Sequence, residues 1–440
     1  MGNHPFALRM ITSWRAGGVC LIARGWALSA LGPGAMRGGV SPEITGEGKM
    51  AAGTSMHPRE GAYRVLTLFG TRPEIIKLAP VIRALEARPD VFESLNVTSG
   101  QHANILPPFL EELSIRLDHD LGVGRPGQTP NQIAERVLAG FGPLVDELEP
   151  DAILVQGDTT TALAGALVGF HAGVPVGHVE AGLRSGNPES PFPEEMNRRL
   201  ISRLAKFHFA ATGQNREQLV AEGVDQESVV ITGNPVVDSV HWALAHHTRS
   251  PQVDEILSWL GDRKMLLLTT HRRESFGPVM ESRMEALSEF AAEREDVGLI
   301  FPVHPNPEVG DRARRLLGAF ENVRLVDPLP YVDFMHLLAC SWLIVSDSGG
   351  IQEEAPSLGK PLLLIRENTE RPEAITSGVV RLVSGAGREL REELELAHGG
   401  SDWIRGVAEI PNPFGEGDAG PRIVEALLRG LGLVRKATSC

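Results

Sequence analysis

From Tyr63 onward, short runs that are apolar on both faces alternate with stretches of helical periodicity. The runs are "YRVLTLFG", "ESLNVTSG", "DAILVQGD", "VPVGHVEAG", "KFHFAAT" and "ESVVITG". A strand buried on both faces reads as a continuous apolar run, and strands separated by helices pair in parallel. The rhythm restarts at "KMLLLTTH" and continues through "VGLIFPVHP", "NVRLVDP", "WLIVSD", "KPLLLIR" and "VVRLVSG". The fold class predicted is therefore α/β, with two doubly wound parallel sheets. Between them, "VHWALAHHTRSPQVDEILSWLGDRK" carries no strand pattern and is read as a connection at 239–264, flanked by domains at 61–238 and 265–415 and followed by a C-terminal helix and tail at 416–440.

Residues 1–60 differ from the rest. They are rich in Gly, Ala, Ser and Arg, carry scattered methionines (Met10, Met36, Met50, Met56) and show no sustained period, so a disordered extension or a start codon placed too early is expected. The run "VCLIARGWALSAL" is interrupted by Arg24 and does not supply the apolar core of a secretory signal.

Composition narrows the function classes. With 42% hydrophobic and 22% charged residues the chain reads as a soluble globular protein, and no apolar run approaches the ~20 residues of a membrane span. A formal net charge of −14 argues against a surface for nucleic acid, while leaving room for a locally positive cleft that takes a small anion. Cys20, Cys340 and Cys440 lie far apart and match no metal-ligand spacing, so neither a disulfide framework nor a metal site is predicted, and a cytoplasmic location fits.

In doubly wound sheets ligands bind beyond the carboxyl ends of the strands, which selects the residues just after each run. After the first comes "FGTRPEIIKLAP", with Arg72 and Lys77 as cations able to clamp a diphosphate, Pro73 as a helix opener, and Pro80 expected to kink or break the helix. "VQGDTTTALAG" places Asp158 either as a helix cap or as a chemical group. "VGHVEAGLRSG" puts Glu180 beside Gly182, where capping explains less, and "SPFPEEMNRRL" opens a helix with Glu194 and Glu195, whose charge the macrodipole favours. Asp158, Glu180 and Glu194 at one edge would raise one another's proton affinity enough for acid and base roles.

In the second half "TTHRRESFG" offers His271, Arg272 and Arg273 to a departing phosphate; "PVHPNP" offers His304, read as structural; and "NTERPEA" supplies Glu370 and Arg371. In "SDSGGIQEEAP", Gly349 and Gly350 leave a helix N-terminus bare, so backbone N–H groups can meet a phosphate with Ser348 adding a hydroxyl. Position 351 is Ile, so no capping box starts at Ser348, and Glu354 is placed to accept two ribose hydroxyls. The match "GVGRPG" at 122–127 to G-x-G-x-x-G follows "LDHDL" and no apolar strand, so it is discounted as a dinucleotide site.

Taken in order, "FGTRPEIIKLAP", "SGQH", "GDTTT", "GHVEAGLRS", "PFPEEMNR", "HRRESFG", "PVHPNP", "SDSGGIQEEAPSLGKP" and "TERPEA" resemble the non-hydrolysing UDP-N-acetylglucosamine 2-epimerases over about 64–430. The resemblance implies two Rossmann-like domains of the glycosyltransferase-B type with the active site in the cleft between them. It also implies inversion at carbon 2 of the sugar without a redox cofactor, by elimination of UDP to a 2-acetamidoglucal and re-addition. Carried over by residue, it makes Asp158, Glu180 and Glu194 the catalytic carboxylates, with the acid and base unassigned, and has His271 assist the leaving UDP. Arg72, Lys77, Gln101, His102, Arg272, Ser348, Gly349, Gly350 and Arg371 become substrate or phosphate contacts, with Glu354 at the ribose and Phe334 near the uracil. A homodimer and a role in cell-surface polysaccharide synthesis are implied too. Ala103 and Asn104 after His102 depart from the family pattern, so weak or absent activation by substrate is expected. A hydrolysing epimerase, a retaining transferase of the same fold and a non-catalytic UDP-sugar sensor are the competing readings.

Overall fold

The computed structural model describes residues 61–102, 106–270, 278–303 and 307–438, all within one compact unit spanning Ser55–Cys440. Two sheets are present, and every paired strand in them is parallel. The first comprises β1 (Tyr63–Phe69), β2 (Phe92–Thr98), β3 (His119–Asp120), β4 (Ala152–Gln156), β5 (Val176–Ala181), β6 (Phe207–Ala210) and β7 (Val229–Ile231), in the order β3-β2-β1-β4-β5-β6-β7. The second comprises β8 (Lys264–Thr269), β9 (Val297–Pro302), β10 (Val323–Val326), β11 (Leu343–Ser346), β12 (Leu362–Leu364) and β13 (Val380–Leu382), in the order β10-β9-β8-β11-β12-β13. In each sheet the order reverses beside its first strand, between β1 and β4 and again between β8 and β11. Such switch points open a crevice at the carboxyl ends.

The apolar runs become strands because both faces are covered: β4 and β5 are buried at every position. One buried cluster runs from Val65 and Phe69 through Val236 and Val240 to Met265 and Ile344, so the two sheets share a core rather than merely touching. The helix Pro235–His246 lies in that cluster and contains position 239, where the connection was expected to begin. Among the described residues no helix is long and apolar enough to cross a membrane.

One local expectation, a helix broken at Pro80, is corrected. The helix after β1 runs unbroken over Arg72–Glu86, through Pro80. Proline cannot donate to the carbonyl four residues back, and here that carbonyl, of Ile76, accepts from Ser239 Oγ at 2.5 Å. Within "LDHDL" a strand forms as well: β3 pairs with β2 through His119 and Asp120. It is a two-residue edge strand without a covered apolar face, so no hydrophobic pattern announces it. The loop that follows leads only to the helix Pro130–Leu148.

Candidate active site

The turn after β1 is built by a residue the motif reading passed over. Glu74 Oε2 accepts the backbone N–H of Gly70 (3.0 Å) and of Thr71 (2.8 Å) and the Thr71 hydroxyl (2.8 Å). Its Oε1 accepts the Thr159 hydroxyl at 2.7 Å, tying the end of β1 to the end of β4. The T-x-x-E spacing of Thr71 and Glu74 is a capping box and was the available signal. Burial pushes the Glu74 carboxyl up to about 7, against these four hydrogen bonds.

After β4, Thr159 caps the helix Thr160–Ala172 by accepting from Ala162 N at 3.0 Å. Asp158 is thereby left out of the cap, and its carboxylate is held by Arg198. Its carbonyl accepts from Asn197 Nδ2 at 2.8 Å, and the neutral His178 ring donates to the Gly157 carbonyl at 2.8 Å. Arg198 is steadied in turn by Glu195, which is fully buried, at 2.9 Å. Of the two adjacent glutamates, Glu195 thus serves the helix Glu194–Leu204 itself, while Glu194 stands half-buried at its first position.

Glu180 occupies a break in register between Val179 and Ala181 at the end of β5, with φ +65°. A non-glycine residue in that region costs on the order of 1–3 kcal/mol and persists where its surroundings over-determine it. Here Gln156 and Lys77 bond its carboxylate, and Asn234 Nδ2 donates to it at 3.2 Å. Gly182, at φ +93°, follows so tightly that a Cβ there would sit 2.3 Å from the Asn215 carbonyl.

Lys77 and Arg371 join this end of the first sheet to the second. Lys77 Nζ contacts Glu180 and lies 2.8 Å from Glu353, while Arg371 Nε lies 2.5 Å from Glu353 and its Nη2 3.9 Å from Glu180. All four side chains are at least nine-tenths buried. Burial alone would raise the Glu180 carboxyl, yet Lys77 and Arg371 together hold it below the ordinary carboxylate range. Burial likewise disfavours the Lys77 ammonium, and Glu180 and Glu353 outweigh it, holding the proton on more firmly than usual. Lys77, read from sequence as one of two cations able to clamp a diphosphate, is a buried bridge, and Arg72 is the exposed member of that pair.

Beyond β11, Gly350 caps the helix Ile351–Ser357 with φ −65° and ψ −40°, a backbone that any residue adopts. Among the described residues a Cβ at 350 would meet nothing nearer than Glu354 Oε1 at 3.7 Å. Neither conformation nor packing demands glycine there, so what the position offers is bare backbone. Glu354 is buried and pushed up to about 7 by burial and then by Glu353, with Arg72, Lys77 and Arg371 pulling the other way. Ser348 is half-buried and shares this turn; its N–H donates to Ser346 Oγ at 3.0 Å. Phe334 lies half-buried against the shared core on the helix Tyr331–Cys340.

Gln101 accepts from Thr161 Oγ1 at 3.0 Å beside the Asp158 loop, and the His102 ring is pushed down by burial and by Arg72. The fold therefore gathers Lys77, Asp158, Glu180, Glu354, Arg371 and Arg72 into one electrostatic neighbourhood. It adds Glu74, Gln156, Arg198, Asn234 and Glu353, which the motif reading did not assign. His271, Arg272, Arg273, His304, Ala103 and Asn104 lie outside the described residues.

Comparison with known proteins gives matches over most of the described chain. A family model described as UDP-N-acetylglucosamine 2-epimerase matches residues 83–428. A UDP-N-acetylglucosamine 2-epimerase of Salmonella typhimurium is 45% identical over 370 residues, covering 83% of this chain and 98% of that relative. The crystal structure of UDP-GlcNAc 2-epimerase from Neisseria meningitidis bound to UDP-GlcNAc superposes with a TM-score of 0.78 at 39% identity, covering 83% of this chain and all of that one. The Methanocaldococcus jannaschii UDP-GlcNAc 2-epimerase in complex with UDP-GlcNAc and UDP gives a TM-score of 0.69 at 32% identity, covering 83% and 99%.

Proposed function

Because this chain belongs to the UDP-N-acetylglucosamine 2-epimerase family, of the non-hydrolysing type, we propose that it interconverts UDP-N-acetylglucosamine and UDP-N-acetylmannosamine by elimination and re-addition of UDP. One carboxylate takes the proton from carbon 2. The electron pair of that bond forms the carbon 1–carbon 2 double bond, and the bond from carbon 1 to the β-phosphate oxygen breaks with its electrons leaving on UDP. A second group returns a proton to the opposite face of carbon 2 in the 2-acetamidoglucal, and UDP re-adds at carbon 1.

The observation that carries this reading is the meeting of Glu180, at the carboxyl end of the first sheet, with Arg371, from the second, with Asp158 bearing on Glu180 from the β4 side and the bare backbone at Gly350 beside Glu354. Asp158, Glu180 and Glu194 take the proton-transfer roles, with His271 at the leaving group. Arg72, Arg371, Ser348, Gly349 and Gly350 hold the diphosphate, Glu354 accepts from the ribose, and Phe334 lies beside the uracil. Lys77 acts on Glu180 and through it on the sugar. The reading places this cleft between domains at 61–238 and 265–415 and the enzyme in the cytoplasm, supplying an amino sugar for surface polysaccharide. Phe192, Met196 and Leu200, exposed and apolar at the start of and along one helix face, support a homodimer.

Incubation of the purified protein with UDP-N-acetylglucosamine, resolved by proton NMR, tests the reaction. A mixture of the two UDP-sugars is expected. Free N-acetylmannosamine with UDP would mark a hydrolysing enzyme, and an unchanged spectrum would mark a protein that only binds.

A further inference from the structure

Lys77, Glu180, Glu353 and Arg371 form a closed ring of alternating charge, two cations and two carboxylates, drawn equally from the two sheets. Lys77 stands on the helix after β1 and Glu180 at the end of β5, while Glu353 stands on the helix after β11 and Arg371 follows β12. Glu353 is the member to which the sequence reading assigned no role, although it lies within "SDSGGIQEEAP". It is 1% exposed and, as the third residue of its helix, touches both cations. A buried carboxylate placed only for stability is a poor choice, since such pairs gain little over apolar packing.

We propose that Glu353 is a positioning residue for the epimerisation: it holds Lys77 charged and fixed opposite Glu180, and holds Arg371 where the diphosphate is to be met. This rests on the function proposed above, and it adds a residue and a role to it. The groups facing Lys77 are Glu180 at the end of β5, Glu353 and Glu354 on the helix after β11, and Arg371; Asp158, with its partner Arg198, bears on Glu180 from the β4 side. Two anions and one cation thus lie closest to the ammonium, in surroundings that by burial alone would strip its proton. With Glu353 gone, one anion remains against one cation and the same burial.

The titration of Lys77 reads this directly and needs no turnover. The ¹³Cε shift of Lys77, assigned by its loss in Lys77→Met, is followed from about pH 8 upward to about pH 12.5 in the full chain, in Glu353→Gln and in Glu353→Asp, with the parent midpoint expected above the ordinary lysine value. Loss of one adjacent opposite charge should lower the midpoint by about one unit or more in Glu353→Gln, and by a smaller step in Glu353→Asp, whose carboxylate is withdrawn by one methylene. Turnover should fall by up to about 10²-fold with the alkaline limb of its pH profile displaced downward in the same order. Should Glu353→Gln not fold, Glu353→Asp decides alone. A folded variant whose Lys77 midpoint matches the parent would mean that Glu353 has no charge to lose, and would overturn the proposal while leaving the epimerase assay untouched.

Discussion

The Lys77 ammonium and the Glu353 carboxylate stand 2.8 Å apart, both buried, although one follows the first strand of the first sheet and the other the fourth strand of the second. A charge buried on each side of the crevice makes the two sheets one electrostatic unit. Removing one partner of such a pair leaves the other uncompensated, which typically costs about 3–5 kcal/mol.

Lys77→Met should therefore lower the urea-unfolding free energy by about that much, and the double variant with Glu353→Gln should recover part of the loss. The expected coupling is about 0.5–3 kcal/mol. Strictly additive losses would show that the pair does not act as one.

Glu74 predicts a pH dependence of stability. Its folded value, about 7, lies above the unfolded value of 4.5, so the native state binds the extra proton between the two. Stability from this group is complete below pH 4.5 and is lost as the pH rises through 7, a swing on the order of 3 kcal/mol. Glu74→Gln keeps acceptors for Gly70 and Thr71 without the charge. Its melting temperature relative to the parent should rise by a few degrees between pH 5 and 7.5, and a gap constant with pH would refute the assignment.

Glu354 predicts a pH dependence of binding. Its carboxyl is pushed up to about 7 by burial and Glu353, while acceptance of two ribose hydroxyls needs the ionised form. UDP affinity, measured by calorimetry, should tighten from pH 6 to 8 more in the parent than in Glu354→Gln, a comparison that cancels the titration of UDP itself. Parallel curves for the two proteins would remove Glu354 from the ribose.

Reaction in heavy water should give UDP-N-acetylmannosamine carrying deuterium at carbon 2, since the proton removed and the proton returned belong to different groups. Asp158→Asn and Glu180→Gln should each cost about 10²–10⁴-fold in kcat, the worth of one positioned acid or base. Product that keeps protium, or near-normal turnover in both variants, is the contrary result.

A chain beginning at Met56 should keep its melting temperature and turnover, because residues 1–60 carry neither period of the two sheets and the first strand starts at Tyr63. A loss beyond a few-fold would show that the extension packs on the enzyme.

The sequence alone determined the two parallel sheets, because burial of both strand faces writes each strand as a local apolar run that needs no knowledge of its neighbours. It also marked the turns after those runs, since glycines, prolines and charges placed where a strand ends are equally local; Asp158, Glu180, Gly350 and Arg371 were legible for that reason. Only the tertiary structure decided what those residues do to one another. The Lys77–Glu353 and Arg371–Glu180 pairings follow from which strands lie side by side and how the two sheets face, and charge leaves no periodic trace of its partner. The left-handed turn at Glu180, the passage of a helix through Pro80 and the two-residue strand β3 are of the same kind. Each is held by a group distant in the chain, Asn234, Ser239 or β2, whose arrival no local pattern encodes.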